Sequence, residues 1–206
     1  MIKCNVTACG IITRAAQMRN NKEGKPFITF GVSVVIPAKN GINKTIEISV
    51  AKDGEGEVVG NYSVNQRIDV SGTLVPHKKG DNMYWNLSAT SINLSSPSPE
   101  DGIKGAMEFR GTVGKQIDTK NDKKGNPYIT FSGYSCEKDA ENFLYTWVHF
   151  RQFGASQPEW LQPKTHIETT GEIELSVYND RIDIGCTVQQ LKPWEKKPYQ
   201  PQNAGT

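Results

Sequence analysis

The segment WVHFRQFG, residues 147–154, alternates strictly between two kinds of side chain. On an extended strand successive side chains point to opposite faces, so Trp147, His149, Arg151 and Phe153 share one face and Val148 and Phe150 the other. With Val148 and Phe150 turned into a core, two rings and two basic groups remain outside. Such a face does noncovalent chemistry. A ring stacks on the flat π-face of an unpaired base whatever its identity, and a neighbouring cation meets phosphate. Tyr128, in the strand PYITFSG, is expected to join Trp147 and Phe153, with Thr130 beside it. Its counterpart in the first half of the chain is Phe27, and the hairpin after HKKGDN offers Trp85 as a further stacking ring, although alternation does not decide between Tyr84 and Trp85. The competing reading buries Trp147 or Phe153 beneath a loop or between subunits.

The basic half of this chemistry sits nearby in sequence. Arg14, Arg19, Lys22 and Lys25 cluster on one two-stranded hairpin and Lys115, Lys120, Lys123 and Lys124 on another, and with Arg151 and His149 they are the candidate phosphate contacts. Solvated lysines on hairpins also discourage edge-to-edge aggregation, which is the alternative use of the same residues. Both clusters lie beside an aromatic at the same place, which favours the binding use. Net charge over the 206 residues is only +2, but its distribution is uneven. Residues 1–95 hold 11 Lys and Arg against 7 Asp and Glu, whereas residues 106–192 hold 10 against 12, so the first half is the better partner for a polyanion.

Catalysis finds little support. The chain contains no Gly-rich phosphate loop, no Gly-x-Ser-x-Gly elbow and no His-Glu-x-x-His, so an enzyme is not expected. Cys4, Cys9, Cys136 and Cys186 form no Cys-x-x-Cys pair and lie far from His77, His149 and His166, so neither a metal nor another cofactor is expected. The four thiols read as reduced and structural, with Cys186 in a core. No apolar run is long enough to span a membrane and no secretory core follows the start, so the expected location is the cytoplasm.

The elements that must position these residues are duplicated. KEGKPFITF at 22–30 returns as KKGNPYITF at 123–131, and eight positions are identical between residues 10–30 and 111–131 at a constant offset of 101. Chance would give roughly one or two, so the chain holds an internal repeat. RIDVSGTL at 67–74 likewise answers HIETTGEI at 166–173, with Gly72 opposite Gly171. Each copy has period 2, about five strands separated by Gly, Asn and Asp turns, and one segment, GASQPEWLQPKTH in copy 2, where a short helix could cap one end. The expected fold is all-β, two tandem OB-folds, each a five-stranded Greek-key barrel. The expected domains are 1–95 and 106–192, joined by a Ser- and Pro-rich linker at 96–105 and followed by a flexible Pro-rich tail at 193–206.

Copy 2, read as FRGTVGKQIDTKNDKKGNPYITFSGYS, YTWVHFRQFG, EWLQPKTHIETTGEIEL and RIDIGCTVQQL, resembles the bacterial single-stranded DNA-binding protein family. Copy 1 resembles it through NVTACGIIT, GKPFITF and RIDVSGTL. The resemblance implies sequence-tolerant single-stranded DNA binding in replication, recombination or repair, with Trp147 and Phe153 stacking on bases and His149 and Arg151 in the strand path. It also implies four OB domains around the DNA, hence a homodimer of this two-domain chain. The tail KPWEKKPYQPQNAGT departs from the family in lacking an acidic, Phe-terminated end, which puts recruitment of repair enzymes by that route in doubt. An OB-type assembly or adaptor module and a single-stranded RNA binder remain the alternatives.

Overall fold

The structure is a computed structural model that describes residues 1–54, 56–139, 142–154 and 156–195. The expected tail beyond residue 195 lies outside the described residues. Strands β1 (Ile2–Asn20), β2 (Pro26–Ile36), β3 (Lys44–Asp53), β4 (Arg67–Lys79) and β5 (Asn82–Asn93) form the first repeat. Strands β6 (Gly102–Asn121), β7 (Pro127–Asp139), β8 (Asn142–Phe153), β9 (His166–Tyr178) and β10 (Arg181–Pro193) form the second. In each repeat the order closes on itself: β1-β2-β3-β5-β4-β1 and β6-β7-β8-β10-β9-β6. All neighbours are antiparallel except β3 with β5 and β8 with β10. That order is the OB-fold, twice.

Closure requires the first strand of each barrel to serve two neighbours. β1 pairs with β4 over its first half and with β2 over its second, and irregular register between Ile12 and Gln17 marks the bend. β6 does the same between β9 and β7, with its shift between Val113 and Ile117. At the bend the strands approach so closely that only glycine fits. A Cβ on Gly10 would stand 2.2 Å from the Ser33 carbonyl oxygen, and one on Gly111 would stand 2.3 Å from that of Tyr134. The repeated phrases also make the same turn. The Asn21 side chain accepts hydrogen bonds from the backbone N–H groups of Glu23 and Lys25, the Asp122 side chain accepts from those of Lys124 and Asn126, and Gly24 and Gly125 take φ near 80°. The duplicated sequence is thus a duplicated solution to one barrel geometry.

The two barrels share one sheet. β1 and β6 pair antiparallel from Ile2↔Phe109 to Cys9↔Gly102, burying Ile2, Cys4, Met107 and Phe109 along the seam. Exchanging the repeats at their offset of 101 turns the pair Cys4↔Met107 into Val6↔Gly105, itself a pair, and returns Asn5↔Ala106 to itself. The seam therefore has pseudo-two-fold symmetry. Two side-chain contacts repeat it: Lys44 pairs with Asp180 at 2.6 Å, and the His77 ring meets the Glu137 carboxylate at 2.8 Å. Each joins the β2–β3 or β7–β8 hairpin of one repeat to the β4–β5 or β9–β10 hairpin of the other.

Two local expectations give way. Residues 156–165 contain turns and no helix, because Pro158 and Pro163 cannot continue one, and Leu161 is instead the fully buried plug of the second barrel. Repeat 1 closes with a single 3-10 turn at Val59–Asn61, after which Tyr62 stacks on Phe30 with centroids 5.2 Å apart. Residues 102–105, within the expected linker, are the start of β6. The stretch before them is tied down: Arg67 pairs with Asp101 at 2.6 Å, and Asp101 also accepts from the Val35 N–H at 2.8 Å. The thiols of Cys4 and Cys186 are pushed up to about 12 by burial, which keeps them protonated, while Cys136 is exposed.

Gly111→Ala is expected to lower stability by about 1–3 kcal/mol, the usual range for overpacking. Gly60→Ala, where the added methyl meets nothing within 4 Å, should leave the thermal midpoint nearly unchanged. Equal midpoints for the two variants would contradict the close-approach account.

Candidate nucleic-acid interface

The β7–β8 hairpin sets the geometry. Its register places Tyr128 opposite Phe153, Thr130 opposite Arg151, Ser132 opposite His149, Tyr134 opposite Trp147 and Cys136 opposite Tyr145. These five rungs form the outer face. The alternate rungs face inward, where Ile129, Phe131, Val148 and Phe150 are buried. Phe150 packs against both Phe131 and Phe109, so the core fixes the strand that carries the outer rings.

Outside, the rings form two groups. Tyr128 and Phe153 lie with centroids 5.5 Å apart, and the Arg151 guanidinium stands 5.9 Å from the Phe153 centroid. Tyr134 packs beside Trp147 at 5.0 Å and meets Tyr145 edge-on at 5.4 Å. Phe153 lies six residue steps along the strand from Trp147, a span of about 20 Å. Trp147 and Phe153 are each about half exposed, at 49% and 53%, which leaves a ring face for a ligand.

Between the groups the surface is polar. His149 Nδ1 lies 3.3 Å from the carboxylate of Asp183 on β10, so this expected phosphate contact faces a carboxylate partner. Burial raises the Asp183 carboxyl above its usual range, Glu174 adds to the rise and His149 opposes it. Arg151 carries no ion pair among the described residues and projects from the same strand.

The cationic clusters fall on two separate hairpins, one in each barrel. Lys120, Lys123 and Lys124 flank Tyr128 on the β6–β7 hairpin, Lys115 stands exposed at the β6 bend, and Lys120 lies 3.9 Å from Asp118. Arg19, Lys22 and Lys25 flank Phe27 on the β1–β2 hairpin, where Lys25 pairs with Glu23 at 3.6 Å and Arg19 donates to Gln17. Arg14 is turned onto β3 and donates to Ser49 at 3.0 Å.

Repeat 1 does not reproduce the aromatic face. Its corresponding rungs are Phe27 with Asp53, Thr29 with Ala51, Gly31 with Ser49, Ser33 with Glu47 and Val35 with Thr45. Glu47 thus stands where repeat 2 has Trp147, and Ala51 where it has Arg151. Thr13 donates to Glu47 at 2.6 Å, which fills this surface with internal polar contacts. Trp85 is a correction. It is only 4% exposed, because the β4–β5 register turns it inward with Leu74 and Leu87, at the position of buried Ile184 in repeat 2. Tyr84 is the outward neighbour. Tyr134 and Tyr145 were not among the expected rings. Continuing the alternation two residues upstream of Trp147 reaches Tyr145, and six residues beyond Tyr128 reaches Tyr134.

A cleft of about 790 Å³ opens between this face and the β9–β10 hairpin, with Arg151, His149 and Thr130 on one side and Ser176 and Tyr178 on the other. The OB-fold binds its ligands on this face, between the loops after its first and fourth strands. No protein-family model matches the chain, and no curated protein does. Solved structures do. The chain is similar to the single-stranded DNA-binding protein from Thermus aquaticus, at 14% identity over 98% of this chain and 97% of that one, with a TM-score of 0.47. It is also similar to PriB from Ralstonia solanacearum, at 11% identity over 44% of this chain and 97% of that one, with a TM-score of 0.34. The OB assignment itself rests on strand order and barrel closure.

Trp85→Ala should cost about 3–5 kcal/mol in urea unfolding, as core truncations of large aromatics do. Trp147→Ala, which gives up a half-exposed ring and its packing on Tyr134, should cost less, about 0.5–1.5 kcal/mol. A reversed ranking would contradict the placement of the two rings.

Proposed function

We propose that this protein binds and protects single-stranded DNA with little sequence preference, as a non-enzymatic cytoplasmic factor in replication, recombination or repair. The observation that carries this reading is the outer ladder of β7 and β8, where two aromatic groups about 20 Å apart flank Arg151. A strand laid along the ladder stacks bases at Tyr128 and Phe153 and again at Tyr134 and Trp147. Its phosphates meet Arg151 and the lysines of the β6–β7 hairpin. Stacking reads only the π-face that every base has, so sequence preference is weak. Repeat 1 contributes charge and assembly rather than stacking, since its matching rungs hold one ring. Two such chains would bring four OB barrels together, and a homodimer is part of the proposal.

Titration with oligo-dT should quench tryptophan fluorescence strongly, with affinity falling as salt rises. Trp147→Ala should weaken binding by about 5- to 150-fold, the equivalent of one stacked base. Undiminished binding by Trp147→Ala, with a changed oligomeric state in light scattering, would assign that ring to an interface instead. Stronger competition by a matched RNA oligomer would assign the surface to RNA.

A further inference from the structure

The cleft in repeat 2 is not built by repeat 2 alone. Its wall includes Pro37, Ala38 and Lys39, from the connection between β2 and β3 of repeat 1. Three features hold that connection in place. The Asn43 side chain accepts a hydrogen bond from the Ala38 N–H at 3.0 Å, which closes the loop on itself. Lys44, at its end, pairs with Asp180 at 2.6 Å. Asp180 and its neighbour Asn179 both take positive φ, 63° and 47°, the two-residue turn that matches strand twist at the tip of the β9–β10 hairpin. The β1–β6 seam fixes the barrels behind them.

The charges within this cleft are already matched in part. Asp183 faces His149 and Asp118 faces Lys120, while Asp180 and Lys44 pair outside the lining. Lys39 lines the wall, is exposed, and makes no ion pair among the described residues, as is also true of Arg151 on the floor. Glu174 is the further carboxylate of the lining. Two available cations therefore come from different repeats and face one cavity.

We propose that Lys39 of repeat 1 contacts the phosphate backbone of a single strand whose bases stack on repeat 2, so that the binding unit is the pair of barrels. This rests on the single-strand reading above. The ladder supplies the base contacts, Arg151 a phosphate contact from below, and Lys39 a second from the opposite wall. Asp180 is a positioning residue, holding the loop through Lys44.

The experiment measures oligo-dT affinity of the full-length chain across a series of salt concentrations. Each phosphate contact on a single strand contributes about 0.7 to the slope of log K against log salt. Lys39→Ala is expected to reduce the slope by about 0.7 and to weaken binding by roughly 3- to 10-fold at low salt. Lys39→Arg should restore both, and Lys164→Ala, which removes a lysine outside the cleft lining, should change neither. Parent-like slope and affinity in Lys39→Ala, or equal losses in Lys164→Ala, would overturn the inference while leaving the single-strand reading intact. Failure of the parent chain to bind oligo-dT at any salt would overturn both.

Discussion

Antiparallel pairing of β1 with β6 is the interaction on which the rest of the structure depends. Each of these strands already serves two neighbours within its own barrel, and over Ile2–Cys9 and Gly102–Phe109 it takes the other as well. The exposed edges that such strands would present are thereby consumed within the chain. Gly105 permits the approach: its φ is 152°, and a Cβ there would stand 2.1 Å from the Asn5 carbonyl oxygen. Because the seam is pseudo-symmetric, it fixes two cross-barrel hairpin contacts at once. Lys44 with Asp180 and His77 with Glu137 are the consequence.

A symmetric frame carries asymmetric surfaces. The inward rungs of both repeats are apolar, Ile28, Phe30, Ile48 and Val50 in one and Ile129, Phe131, Val148 and Phe150 in the other, because each must fill a barrel. The outward rungs have no such duty. Repeat 2 places rings and a guanidinium there, and repeat 1 places Glu47, Ser49 and Ala51. A carboxylate in place of Trp147 offers no π-face and repels phosphate. The asymmetry follows from the freedom of the outer face, and residues 37–39 are the part of repeat 1 that lines the cleft.

Much of this was legible in the residues. Period-2 alternation in WVHFRQF fixed which side chains face out, and the repeat fixed the number of barrels, because both depend on local sequence alone. Trp85 was not legible, since its direction depends on the register of the β4–β5 hairpin, which a two-residue turn sets. Tyr134 and Tyr145 were legible, because the same period-2 alternation runs through them. The seam had no local signal, because an edge strand reads the same whether it meets solvent or another barrel. The tethered stretch before β6 has the composition of a linker, and only the tertiary contact of Asp101 with Arg67 holds it.

Amide hydrogen exchange of the chain with and without saturating oligo-dT tests the central claim most directly, because it reports both faces in one experiment. The account predicts added protection over residues 128–134 and 145–153 of the aromatic ladder and at Ala38 and Lys39 of repeat 1, with 45–53 on β3 unchanged. Protection shared equally by β3 and β8, or absent from β7 and β8, would contradict it.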